Sequence, residues 1–148
     1  MRPAVALLTL TLVVACGGAE EEAQPAPPAA AAAPAPTLAD FAGTWQVTSV
    51  LEGTPDTVRS TMTGTADGAW TMSLEGRPNI PLTVSISGDS LISQSAEYES
   101  ILRQGVTVSV RTASVMSGGM LTGNLVATYK TPTGEQVVNG TTTATKVP

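Results

Sequence analysis

The chain has 148 residues, a formal net charge of −5, one cysteine and no histidine. An intrachain disulfide, a His-based metal site and a His-dependent catalytic triad are therefore excluded. Its 7 Lys and Arg residues form no cluster, which argues against nucleic acid or anionic lipid head groups as partners. Residues are 42% hydrophobic but only 3% aromatic, and the second half is rich in Thr, Ser, Val and Gly, a composition that favours strands and tight turns.

The chain opens on Met1-Arg2-Pro3, a short basic start, followed by an apolar and threonine run from Ala4 to Val14. That run has the length of the core of an export signal and falls short of a bilayer span, which takes roughly 20 residues. The sole cysteine follows at once, in Leu12-Val13-Val14-Ala15-Cys16-Gly17. This stretch resembles the bacterial lipobox. The resemblance implies that residues 1–15 are a signal peptide, that cleavage falls between Ala15 and Cys16, and that the Cys16 thiol carries lipid. It also implies an outer-membrane destination, because Gly17 is not the Asp that marks retention at the inner membrane. The domain then faces the periplasm or the cell surface. Several acyl chains, at roughly 0.8 kcal/mol per buried CH₂, hold a soluble domain permanently at a membrane.

Residues 16–36 read as a lipidated Cys plus a Pro/Ala/Glu-rich tether. Glu20, Glu21 and Glu22 repel one another, and Pro25, Pro27, Pro28, Pro34 and Pro36 forbid regular helix or sheet. Ala29–Ala33 is too short to sustain a helix between prolines. At roughly 3.1 Å per residue in polyproline II, the segment holds a domain some tens of ångströms from its anchor.

Residues 37–148 form one domain of roughly 110 residues, patterned with period two from Thr44 onward. A first strand, Thr44–Leu51, puts Trp45 and Val47 on one face, and Glu52–Asp56 breaks it. Val58, Ser60, Met62 and Gly64 form the inward face of a second, and Asp67-Gly68 gives a hairpin turn. Trp70, Met72 and Leu74 face inward on a third. Arg77–Pro81 connects to a fourth carrying Leu82, Val84 and Ile86, and Gly88-Asp89 turns into a fifth at Ser90–Ala96. After a longer segment, Glu97–Gly105, come a sixth strand with Val106, Val108 and Val110, a Gly118-Gly119 turn, and a seventh with Leu121, Gly123, Leu125, Ala127 and Tyr129. Thr131–Gly134 makes a turn into a last strand, Glu135–Thr145.

The expected fold is therefore all-β, an antiparallel up-and-down barrel of about eight strands, with an open sandwich as the competing arrangement. Gly43-Thr44-Trp45 resembles the Gly-x-Trp start of the lipocalin-like (calycin) barrels. That resemblance implies that Trp45 plugs one end of the barrel beneath a basic side chain from near the carboxyl end, here Lys146.

Catalysis finds little support. Lys130 and Lys146 are the only lysines, and neither lies in a Ser-x-x-Lys arrangement. Glu97 and Glu99 share a strand face but read as a solvated edge. No acidic loop at Ca²⁺ spacing occurs, so no metal and no cofactor is expected. Binding is favoured instead. The Glu97–Gly105 segment, with Tyr98, Ile101, Leu102 and Arg103, reads either as a strand extension over the core or as the rim of a ligand site. The expected function is a membrane-anchored envelope lipoprotein whose barrel binds a small apolar ligand and is not an enzyme. The alternative is a protein-interaction or inhibitor module of the periplasm, acting on an envelope protein, with a filled barrel and an apolar patch at Ile101 and Leu102. Inward Gly64, Gly123, Ser60 and Ala127 point to spare volume and hence to the first.

Overall fold

The computed structural model describes residues 34–148, so the expected signal peptide, the expected Ala15–Cys16 cleavage junction and the expected tether up to residue 33 lie outside the described residues. A single helical turn, α1 (Leu38–Phe41), precedes the first strand. It is held by the Asp40 carboxylate, which accepts the Thr37 N–H at 2.7 Å and the Thr37 hydroxyl at 2.8 Å. Those two bonds hold the Asp40 carboxyl below its ordinary range. The sequence pattern contains no helix here, because one turn leaves no periodicity to detect.

The strands are β1 (Gly43–Leu51), β2 (Thr57–Gly64), β3 (Trp70–Ser73), β4 (Ile80–Ser87), β5 (Ser90–Ser95), β6 (Tyr98–Glu99), β7 (Thr107–Ser117), β8 (Met120–Thr131) and β9 (Gly134–Lys146). Neighbours pair antiparallel along the chain, and β9 returns to β1 with Lys146 opposite Trp45. The ladder closes where β5 pairs directly with β7, Ser93 opposite Thr112. The result is a closed eight-stranded antiparallel barrel, the architecture that the alternation predicts. Closure rules out the open sandwich. The two-residue β6 is an addition to the expected set, paired to the end of β7 with Tyr98 opposite Val108.

One boundary differs in kind. Pro81, expected in a connection, sits inside β4 opposite Thr71. It lies one residue from the strand's start with its ring exposed, and its carbonyl accepts the Ala96 N–H at 2.9 Å. A sheet tolerates a missing N–H at such a strand end.

The pairing sorts the connections into two poles. Gly43, Gly64, Trp70, the β4–β5 and β7–β8 turns and the carboxyl terminus lie at one pole, which α1 closes. The β1–β2 loop, the β3–β4 loop, the residues around β6 and the β8–β9 turn lie at the other, the mouth.

Two apolar clusters fill the two halves. At the plugged pole, Phe41, Trp45, Met62, Trp70, Leu91, Leu121 and Ala144 pack together; at the mouth, Leu51, Val108, Leu125, Ala127 and Tyr129 do so. Trp45 is fully buried and donates its indole N–H to the Phe41 carbonyl at 2.8 Å, so the polar edge of the plug is satisfied.

Two glycines have a different use from the one expected. A Cβ at Gly64 would stand 2.0 Å from the Trp70 indole, so that ring occupies the space. At Gly123 a Cβ would stand 2.0 Å from the Ala113 carbonyl oxygen, because β7 and β8 approach closely there. Neither glycine leaves a hole; the spare volume comes from serines.

Candidate functional site

Between the two apolar clusters runs a lumen with two chambers. The lower has a volume of about 60 Å³ and the upper about 50 Å³, and both are lined by Ser49, Ser60, Met72 and Val110, so they meet at mid-barrel. At roughly 10–15 Å³ per water-sized site, each has room for a few small groups, well below the roughly 300 Å³ of a drug-sized pocket.

The lining follows from strand alternation. In β5, Leu91 points inward, so Ser93 and Ser95 must follow on the same face while Ile92 and Gln94 turn outward. In β7 the inward set past Val108 and Val110 is Thr112 and Ser114, and in β9 it is Thr142 and Ala144. Ser49 and Ser60 complete a belt of hydroxyls at mid-height. Most are deeply buried, with Ser93 and Ser95 at 5% exposure and Ser114 and Thr142 at 6%.

Several of these hydroxyls already have partners. Ser93 Oγ and Thr112 Oγ1 share one hydrogen bond at 2.7 Å, and Ser95 Oγ accepts the Val110 N–H at 2.8 Å. Ser49 donates to Thr142 Oγ1 at a long 3.4 Å. Ser114 also lines the lower chamber. No charged side chain lines either chamber among the described residues. With no base beside them, the hydroxyls are not activated as nucleophiles.

At the mouth the structure brings Tyr98, Ile101 and Leu102 together on the upper chamber, with Tyr129 one strand beyond Tyr98 across Val108. Burial pushes the Tyr98 hydroxyl up to about 12; the nearby Tyr129 adds to the shift and Arg77 opposes it. Arg103 is placed elsewhere. Its guanidinium stacks 4.2 Å from the Tyr129 ring centre and donates to Gln136 Oε1 at 2.7 Å, and it lines neither chamber. It therefore fastens the segment rather than lining the lumen.

The segment is part strand and part turn. Ser100 Oγ accepts the N–H groups of Leu102 and Arg103 at 3.1 Å each, and Ser100 N–H reaches the Val106 carbonyl at 2.8 Å. Arg77 donates to the Glu99 carbonyl at 2.7 Å, and Lys130 pairs with Glu97. Leu102 is half-buried against the mouth cluster, whereas Ile101 is 43% exposed.

At the plugged pole, Lys146 Nζ lies 5.4 Å from the centre of the Trp45 ring. Gly43, at φ +130°, makes room for it, since a Cβ there would stand 2.8 Å from Lys146 Cε. The first residue of the Gly-x-Trp motif thus serves the cation and not the indole directly.

No protein-family model and no curated protein matches the chain. Among solved structures, a chain of the rhizavidin–biotin complex is similar, with a TM-score of 0.46 and 13% sequence identity over 76% of this chain and 98% of that one.

Of the belt residues, only Ser60 is marked as inward by the sequence pattern. Ser and Thr alternating with aliphatics read as the solvent side of a strand, and only the register of neighbouring strands fixes which set points in.

Proposed function

We propose that this protein is a lipid-anchored envelope lipoprotein whose barrel binds a small, mainly apolar molecule in its lumen and acts by binding rather than catalysis. The observation that carries the reading is the lumen itself, two joined chambers with uncharged walls beneath a fastened mouth segment. The anchor reading rests on the Leu12–Gly17 stretch, with Cys16 as the lipidated residue and the outer membrane as destination.

The interaction-module reading needs a filled barrel and an apolar patch at Ile101 and Leu102. The barrel keeps free volume, and of that pair Leu102 packs inward while Ile101 is exposed. Ligand binding is the better-supported function.

Native mass spectrometry of the full chain extracted from membranes tests it. A small molecule that co-purifies and is lost on mild activation supports the proposal. A bare mass, together with no thermal stabilisation by any small apolar compound, would overturn it and leave the interaction module.

A further inference from the structure

The lumen is not uniformly apolar, and its chemistry narrows what it can hold. Five strands (β1, β2, β5, β7 and β9) each direct at least one hydroxyl to mid-barrel, between a floor of Trp45, Leu91 and Leu121 and a mouth of Leu125 and Tyr129. Packed Val or Ala at these positions would join the two halves of the core. Instead the hydroxyls divide it, and each buried hydroxyl must find a hydrogen-bond partner or lose free energy.

Counting donors and acceptors shows what remains available. Ser93 and Thr112 share one proton, which leaves the pair one further O–H and free lone pairs. Ser95 Oγ accepts from the Val110 N–H, which leaves its own O–H to donate. Ser114, 6% exposed, adds a further hydroxyl to the wall of the lower chamber. The belt can thus both donate and accept. It cannot neutralise a charge, because no ionised group lines the chambers among the described residues, and an unpaired buried ion is strongly disfavoured.

Resting on the reading of the lumen as a binding site, we propose that it selects a slender, neutral molecule with an aliphatic body and one hydroxyl- or carboxamide-like group seated on the Ser93–Thr112–Ser114 side of the belt, and that it rejects carboxylates of the same shape. The two chambers limit the part enclosed to a few heavy atoms without repacking. Met62 and Met72, unbranched and adaptable, are the lining residues able to yield to a longer body.

The test uses four probes of one length: hexane, 1-hexanol, hexanamide and hexanoate. Dissociation constants come from thermal stabilisation of the full chain in detergent, followed by tryptophan fluorescence. Thr112→Val and, separately, Thr142→Val, each of nearly unchanged side-chain volume, are compared with the unmodified chain. Partition into detergent is the same for each protein, and the ratio of constants reports the lumen alone. The expected result is that hexanol and hexanamide bind at least tenfold tighter than hexanoate. Thr112→Val should weaken both by about fivefold, the ordinary net worth of one neutral hydrogen bond, and leave hexane no weaker. Equal binding of hexanoate, or an equal effect of the substitution on hexane and hexanol, would overturn the selectivity while leaving a lumen that binds. Binding of none of the four would overturn the binding site itself.

Discussion

Lys146 Nζ stands 5.4 Å from the centre of the Trp45 ring, across the register pair that joins β9 to β1. Trp45 is completely buried, so its neighbours cannot close the gap it would leave. Trp45→Ala should cost about 3–5 kcal/mol, a large share of a small domain's stability, read as a fall in the denaturation midpoint. Gly43→Ala tests the cation separately. Its φ of +130° and the contact with Lys146 Cε predict a loss larger than that of Lys146→Met, which forfeits an exposed cation–π contact of about 0.5–1 kcal/mol.

The mouth segment should respond unequally at two adjacent positions. Leu102 packs on the mouth cluster and Ile101 is 43% exposed, so Leu102→Ser should lower stability by about 1–2 kcal/mol and Ile101→Ser by much less. Both line the upper chamber, and both should change the release rate of an environment-sensitive apolar probe. Equal stability losses would mean that Ile101 is buried in solution.

Tyr98 gives a pH signature. Its hydroxyl ionises at about 12 in the folded protein against an ordinary 10.0, because burial disfavours the phenolate. A value raised above that of the unfolded chain contributes stability that is complete below pH 10.0 and is lost as pH rises towards about 12. The melting temperature should therefore fall across that window, and Tyr98→Phe should flatten the fall. A Tyr98→Phe profile that declines as steeply as the parent's would contradict the burial of this phenol.

Arg103→Met should loosen the segment without unfolding the barrel. It removes the stack on Tyr129 and the bond to Gln136 Oε1, while the Ser100 turn and the Lys130–Glu97 pair remain. Hydrogen exchange should speed up at Leu102 and Arg103's replacement and stay unchanged in β8 and β9.

The anchor has its own test. Cys16→Ser removes the proposed acyl acceptor, so labelled palmitate should no longer be incorporated and the chain should persist as precursor. Palmitate still present in the Cys16→Ser protein would place the lipid elsewhere.

Much of the barrel was legible because period-two alternation is unambiguous where large aliphatics mark one face. Trp45, Val47, Met62 and Trp70, and later Leu121, Leu125 and Tyr129, fall inward as expected. Of the hydroxyl belt only Ser60 was legible. In Ser90–Ser95 the sequence offers Leu91 on one face and Ile92 on the other, and pattern alone cannot choose between them. The register with β7 chooses. The four-residue α1 and two-residue β6 are too short to leave a period, and both are held by specific hydrogen bonds or pairing. Arg103 was placed on the correct segment, but its side chain's direction depends on Tyr129 and Gln136, distant in sequence.

The barrel wall is uneven around its girth. β8 pairs with β9 along Met120–Thr131, whereas β3 holds β2 only over Thr61–Gly64, leaving Thr57–Ser60 of β2 without a partner on that side. Ser60 lines both chambers and also the outer cleft beside Arg59 and Glu75. On its other side β3 is held to β4 by three pairs, Trp70 to Met72, so the two shortest ladders of the wall flank β3, and local opening breaks the fewest bonds there. Thermal breathing should thus concentrate at β3, so that the side wall beside Ser60, and not only the mouth, admits water to the lumen.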